Sequence, residues 1–215
     1  MYYDQGFLQK LQNKFGRYAI KNLMLYIVGA MGVVFAVDFM MPAVSLINIL
    51  AFNTEAIMQG EVWRVITFIA IPPAESIIFI VFALYIYWLI GSALEREWGA
   101  FKFNLFYLCG MIGTIAGGLI TGFATSFYLN LSLFLAFAML YPNFELRLFF
   151  ILPVKIKWLA LINVAFLVIA FVFSTWPGRV AILVSIINVI LFFGKNFVNN
   201  IKQRHRKAQW KRSIR

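Results

Sequence analysis

Residues 91 to 122 constrain this chain more than any other stretch. Two long apolar runs meet there at a short charged connection, Gly91-Ser92-Ala93-Leu94-Glu95-Arg96-Glu97-Trp98-Gly99-Ala100-Phe101-Lys102-Phe103. The second run then carries Gly110, Gly113, Gly117, Gly118 and Gly122. Residues three and four apart share one face of a helix, and small side chains on such a face let a neighbouring backbone come close. The pattern is that of a packed pair of membrane helices. Composition agrees, since 63% of the residues are hydrophobic, 18% aromatic and only 13% charged, where a soluble domain carries about 45–50% apolar residues. A soluble globular fold is excluded on that ground. The 215 residues leave space for five to seven spans of roughly 20 residues each, so the expectation is one domain lying in the membrane.

Taken in order, residues 1–22 form a polar and basic segment in which Phe7, Leu8, Leu11, Phe15, Tyr18 and Ala19 recur at helical spacing, as in an amphipathic helix on a membrane surface. The first span runs from about Leu23 to Met40. It has no small-x-small cleavage pattern, so it is read as retained rather than as a signal peptide. Asp38 is costly at mid-bilayer and is placed at the far interface. The connection 41–73, with Trp63-Arg64 and Pro72-Pro73, is too long and too aromatic for a bare loop and reads as a half-submerged interfacial element. Spans two (76–94), three (103–124) and four (127–140) follow, the last closed by Tyr141-Pro142-Asn143. Residues 144–158 read as a second interfacial connection. Spans five (159–174) and six (180–193) turn at Trp176-Pro177-Gly178. The expected fold class is therefore an all-α membrane protein, with a six-span domain over 23–194, an interfacial first loop, and a basic tail over 195–215.

The formal charge of +11 would suit a nucleic-acid partner, but the cations flank apolar spans instead of forming a polar domain. They read as an orientation signal, and no nucleic acid is expected as a partner. In a six-span arrangement every Lys and Arg except Arg64 and Arg179 falls on the side of the two termini. The positive-inside tendency makes that side cytoplasmic. A lone cysteine, Cys109, supports neither a disulfide framework nor a metal site. No cofactor is expected.

The motif Gly91-x-x-x-Glu95-x-x-Trp98-Gly99-x-x-x-Phe103, followed by a glycine-stepped helix, resembles the end of the second and the start of the third transmembrane helix of rhomboid proteins. Trp63-Arg64 is a second point of resemblance, to rhomboids and to their non-proteolytic relatives the derlins, in which that pair belongs to a loop embedded sideways in the outer leaflet. Tyr141-Pro142-Asn143 and the run Leu152 to Leu159 are similar as well. The resemblance implies a rhomboid-like bundle whose framework is Trp63, Arg64, Gly91, Glu95, Trp98, Gly99, Gly113 and Gly117, with a short fourth helix at its centre. In that framework Glu95 is expected to accept hydrogen bonds from neighbouring backbone or from Arg96 and to pin the turn into span three.

A rhomboid protease also needs a serine in the fourth helix and a histidine base in the sixth, with a histidine and an asparagine four apart in the second helix. Serine is a weak nucleophile without such a base. The single histidine, His205, stands in the basic tail. The second-helix positions fall at about Phe79 and Ala83, both apolar, and the sixth-helix position falls within Val180 to Ser185, where there is no imidazole. Span four offers Asn130 and Ser132, a degenerate active-site region without flanking glycines; two apart, they face about 200° away from each other. Ser132 is read as a packing or backbone-bonding serine. Lysines stand near span ends, and Glu75, Glu95 and Glu97 are scattered, so Ser-Lys, aspartyl and metal chemistries find no constellation. What remains is a rhomboid-like pseudoprotease of the bacterial plasma membrane that binds other membrane proteins, a membrane-protein quality-control role. Phe79, Ala83, Tyr87, Phe166 and Phe173 are its candidate client-facing residues. An atypical protease using Ser132 is the alternative, as is a small transporter, although intramembrane charge and internal repeats are missing.

Overall fold

A computed structural model describes residues 6–41, 43, 45–73, 76–148, 152–190 and 192. The basic tail, Glu75 and His205 lie outside the described residues. The architecture is that of an all-α membrane protein, with four helices long and apolar enough to cross a membrane: α2 (Leu23–Met40), α6 (Ile77–Trp98), α7 (Ala100–Thr121) and α9 (Ile156–Phe173). Two shorter apolar helices, α8 (Ser126–Leu140) and α10 (Trp176–Ile190), complete the bundle. At 1.5 Å per residue each of these two is about 22 Å long, less than the roughly 30 Å of a hydrocarbon core. Before the bundle comes the amphipathic α1 (Gly6–Phe15), which leaves Lys10, Gln12, Asn13 and Lys14 exposed.

The helices form where the sequence is uniformly apolar, and they end where backbone chemistry stops them. Helix α6 runs four residues past the expected end at Leu94, and α7 starts three before Phe103, so the connection shrinks to Gly99 alone. Gly99 sits at φ 81°, ψ 155°, a region open in practice to glycine only. A one-residue joint between two membrane helices needs that conformation, which accounts for the Trp98-Gly99 pair. Helix α6 packs against α2, α7 and α8, while α9 packs mainly on α8. The core is made by Met24 and Met31 from α2, Leu94 from α6, Phe103 and Phe106 from α7, and Leu133 and Phe137 from α8. Elsewhere the long helices turn apolar side chains outward. Helix α9 exposes Leu161, Ile162, Val168, Ile169 and Phe173, as expected of a helix that meets lipid.

Gly91 lies against Met24, so closely that a Cβ would collide with that side chain. On α7 the glycines make a ladder. A Cβ on Gly113 would come within 2.7 Å of Val184, and one on Gly117 within 3.3 Å of Val180, while Gly110 has no space for one beside Leu129 and Asn188. The small-residue face of α7 thus receives Val180, Val184 and Asn188 of α10, spaced by four. Backbones meet there by van der Waals contact, the main source of helix association in lipid.

The connection 41–73 folds into α3 (Leu46–Leu50), the two-residue strand β1 (Phe52–Asn53), α4 (Thr54–Met58), α5 (Arg64–Thr67) and a 3-10 turn (Phe68–Ala70). Strand β1 pairs antiparallel with β2 (Phe123–Ala124), with Phe52 opposite Ala124, and the Thr54 hydroxyl donates to the Gly118 carbonyl at 3.0 Å. The connection is thereby fastened to the end of α7. Residues 144–158 contain a hairpin, β3 (Glu145–Leu148) and β4 (Leu152–Lys155), in the register Glu145 to Lys155. Strand there was not foreseen, because Pro153 and the scattered charges mask the alternation that would signal it.

Candidate functional site

Four short-range systems organise the polar residues of the bundle. The first surrounds α3. Asp38, near the end of α2, accepts from the backbone N–H of Leu46 at 2.6 Å and of Ile47 at 3.3 Å. At the other end of α3 the carbonyls that no helical donor can reach are taken by side chains. Arg64 donates from Nη1 to Asn48 O at 2.6 Å and to Ala51 O at 2.8 Å, Trp63 Nε1 donates to Ile49 O at 3.3 Å, and the Thr67 hydroxyl donates to Leu50 O at 3.0 Å. A carboxylate at the N-terminus and a guanidinium at the C-terminus both suit the helix dipole. Arg64 is completed by Glu61, Nε to Oε2 at 2.6 Å. Trp63 and Arg64 therefore hold the 41–73 connection in shape.

The second system is Glu95. Its Oε1 accepts from the backbone N–H of Asn22 at 2.7 Å, and Asn22 carries a positive φ of 55° immediately before α2. The expectation that Glu95 pins the turn from α6 into α7 is thus replaced: Glu95 fixes the start of α2, and Arg96 turns back to the Ser92 carbonyl of its own helix. The turn itself depends on Gly99, with Trp98 stacked edge-on to Phe106 at 5.5 Å between ring centroids. Close by, the Tyr141 hydroxyl donates to Glu97 Oε2 at 3.0 Å, which ties the end of α8 to the end of α6.

The third system lies between α8 and α10. Ser132 is fully buried, and its hydroxyl donates to the Leu129 carbonyl at 2.7 Å. It accepts, at 3.4 Å, from Asn188 Nδ2. Among the described residues no imidazole, lysine or carboxylate is bonded to Ser132. The residue that faces it from α10 is Asn188, which lies beyond the expected window Val180 to Ser185. A carboxamide donates through nitrogen and has no basic site for a serine proton, so this pair cannot activate the hydroxyl in the Ser-His manner. Asn188 Oδ1 and Ser185 Oγ are buried without partners, and the two side chains are three apart on one face of α10.

The fourth system brings Tyr87 of α6 and Asn130 of α8 side by side. Asn130 thus points to α6 and Ser132 to α10, as their spacing implies. Tyr87 turns inward for this contact, whereas Phe79 at the start of α6 and Phe166 and Phe173 on α9 are exposed; Ala83 is partly buried. Cys109 is a free thiol, and no group of metal-ligating side chains occurs among the described residues.

Sequence reasoning missed Asn188, Ser185, Asn22 and the capping role of Asp38. Asn188 had a signal: a carboxamide in an otherwise apolar helix, in step with Val180 and Val184, is expensive in lipid unless it meets a partner. No family model matches the chain, and neither a curated protein nor a solved structure is significantly similar to it.

Proposed function

We propose that this chain is a rhomboid-like pseudoprotease: a six-span bundle, both termini cytoplasmic, that holds transmembrane helices of other membrane proteins without cutting them. The observation that supports it most is the Ser132-Asn188 contact. A serine of the fourth bundle helix meets the sixth helix at the place where a protease would need a base, and the residue waiting there is a carboxamide. The proton of the hydroxyl is committed to the Leu129 carbonyl. In favour of the six-span count, α8 and α10 are apolar and fall short of the bilayer, which suits local thinning of lipid, and α8 is largely buried, as suits a helix surrounded by protein. Client helices would enter between α6 and α9, past the exposed Phe79, Phe166 and Phe173.

Four measurements test the reading on the full chain. Single cysteines at positions 5 and 213 should both label from the cytoplasmic side, and opposite labelling would end the six-span count. A fluorophosphonate probe should leave the protein unmodified. Cleavage of a reconstituted transmembrane substrate at a rate that falls in Ser132→Ala would establish a protease instead. Client capture, followed by photo-crosslinking from positions 79 and 166, should be unchanged in Ser132→Ala and lost when those positions carry Asp.

A further inference from the structure

The face of α7 opposite the glycine ladder carries a groove of about 520 Å³, and we propose that it holds one acyl chain of an anionic phospholipid drawn from the leaflet next to α1. This assignment is independent of the pseudoprotease reading. Helix α7 supplies Phe101, Leu105, Leu108 and Met111 at helical spacing, α2 supplies Ile27, and α1 lies across the entrance with Leu11 and Phe15. The far end is closed by Ile66 and Ile69 of the 41–73 connection.

Length and lining select the occupant. From Phe101 to Met111 the groove follows ten residues of helix, about 15 Å, which is half of a hydrocarbon core of roughly 30 Å. It has the depth of one leaflet and stops there, where a transmembrane helix would run on through the other. A single extended hydrocarbon chain fits that length, and the lining is almost wholly apolar.

Charge selects the headgroup. Arg17, Lys21 and Lys102 are exposed and adjoin the lining residues Tyr18, Ile20 and Phe101 at the entrance. Among the described residues none of the three forms an ion pair, and no carboxylate lines the groove. The entrance is also held in place. Asn104 Nδ2 on α7 donates to the Ile20 carbonyl at 3.0 Å, which keeps the segment before α2 against α7, and Arg17 Nη2 donates to the Tyr18 hydroxyl at 2.7 Å. Three exposed cations beside a one-leaflet apolar slot match a phosphodiester headgroup above an acyl chain.

The test uses the full chain in phosphatidylcholine nanodiscs that contain a small fraction of either phosphatidylglycerol or phosphatidylcholine bearing the same acyl-chain diazirine. After irradiation, the phosphatidylglycerol probe should label the peptide around Leu105 to Met111 at least about tenfold more than the choline probe, since each nearby cation favours an anionic headgroup by up to about 1 kcal/mol. Leu108→Trp fills the slot and should remove that labelling, while Ile169→Trp on the lipid face of α9 should not. Should Leu108→Trp fail to fold, the double variant Arg17→Gln/Lys21→Gln leaves the slot untouched and should cancel most of the headgroup preference. Even labelling of all lipid-exposed helices would show ordinary annular lipid and overturn the site. Equal labelling by the two probes would overturn the headgroup assignment, and a transmembrane peptide crosslinked in the groove would overturn the acyl chain.

Discussion

Replacing Arg64 should loosen the 41–73 connection more than any other single change in it. The guanidinium is only 11% exposed and serves three acceptors at once: Glu61, the Asn48 carbonyl and the Ala51 carbonyl. Truncation in Arg64→Ala orphans two carbonyls at the end of α3 and leaves the Glu61 carboxylate without its cation. An unsatisfied buried acceptor costs about 1–3 kcal/mol, and water at the membrane edge recovers part of that, so the net loss should be about 2–4 kcal/mol. Arg64→Lys separates geometry from charge. An ammonium is a compact point charge without the planar fork; it keeps Glu61 or one carbonyl but not all three, and should recover about half of the loss. The assay is reversible unfolding in mixed micelles with rising dodecyl sulfate, followed by tryptophan fluorescence, because Trp63 reports on the same segment. Losses below about 0.5 kcal/mol for Arg64→Ala, within the range of an unremarkable surface change, would refute the capping account.

The remaining predictions are smaller. Gly113→Leu should cost about 1–3 kcal/mol through overpacking against Val184, and Gly117→Ala clearly less, since its Cβ has 3.3 Å to Val180; equal melting curves for both would mean that the α7 to α10 contact is not close. Glu95→Gln, which keeps an acceptor for Asn22, should stay near the parent, while Glu95→Ala loses about 1–3 kcal/mol in the same unfolding assay. Tyr141 has its hydroxyl pushed up from the ordinary range, by partial burial and by Glu97 beside it. A raised value means that its contribution is complete below the usual phenol range of about 10 and fades as pH climbs through the higher folded value. The stability gap between the parent and Tyr141→Phe should therefore be constant at neutral pH and close only in strong alkali; closure near pH 7 would contradict the contact.

Much of the fold was legible because lipid imposes one rule, apolar runs as helices, and the runs at 23–40, 76–94, 103–124 and 159–174 announce it. The glycine ladder was legible for the same reason, although its partner was not: nothing in Gly110, Gly113 and Gly117 says that α10 covers them, since an apolar face such as Val180 and Val184 would suit any neighbour. Boundaries failed where charged residues continue a helix. Glu95, Arg96 and Glu97 read as a loop, yet they extend α6, because its end emerges at the interface where charge is tolerated and only Gly99 breaks the turn. Glu95 was assigned to that turn from its place at the end of span two and from the rhomboid resemblance; its partner, Asn22, lies 73 residues away. Hairpin β3–β4 was hidden by length, as four-residue strands carry too short an alternation to stand out.

The candidate site was legible only through what it lacks, and the structure adds a positive reason for that silence. Polar atoms in lipid have to find protein partners, and in this bundle the principal ones are already engaged: Asp38 with Leu46 and Ile47, Arg64 with the end of α3, Glu95 with Asn22, Ser132 with Leu129. A catalytic hydroxyl has to keep its proton available to a base, and Ser132 gives its proton to a carbonyl of its own helix. The buried side-chain atoms without a partner among the described residues are Glu95 Oε2, the Oδ1 atoms of Asn104, Asn130, Asn163 and Asn188, Ser185 Oγ and the Tyr107 hydroxyl. Carboxamide oxygens and hydroxyls can hold a water or bond a peptide but lack the basicity to start hydrolysis, while the Glu95 carboxylate already holds Asn22 through its other oxygen. Contacts of that kind are what the proposed helix-holding role would draw on.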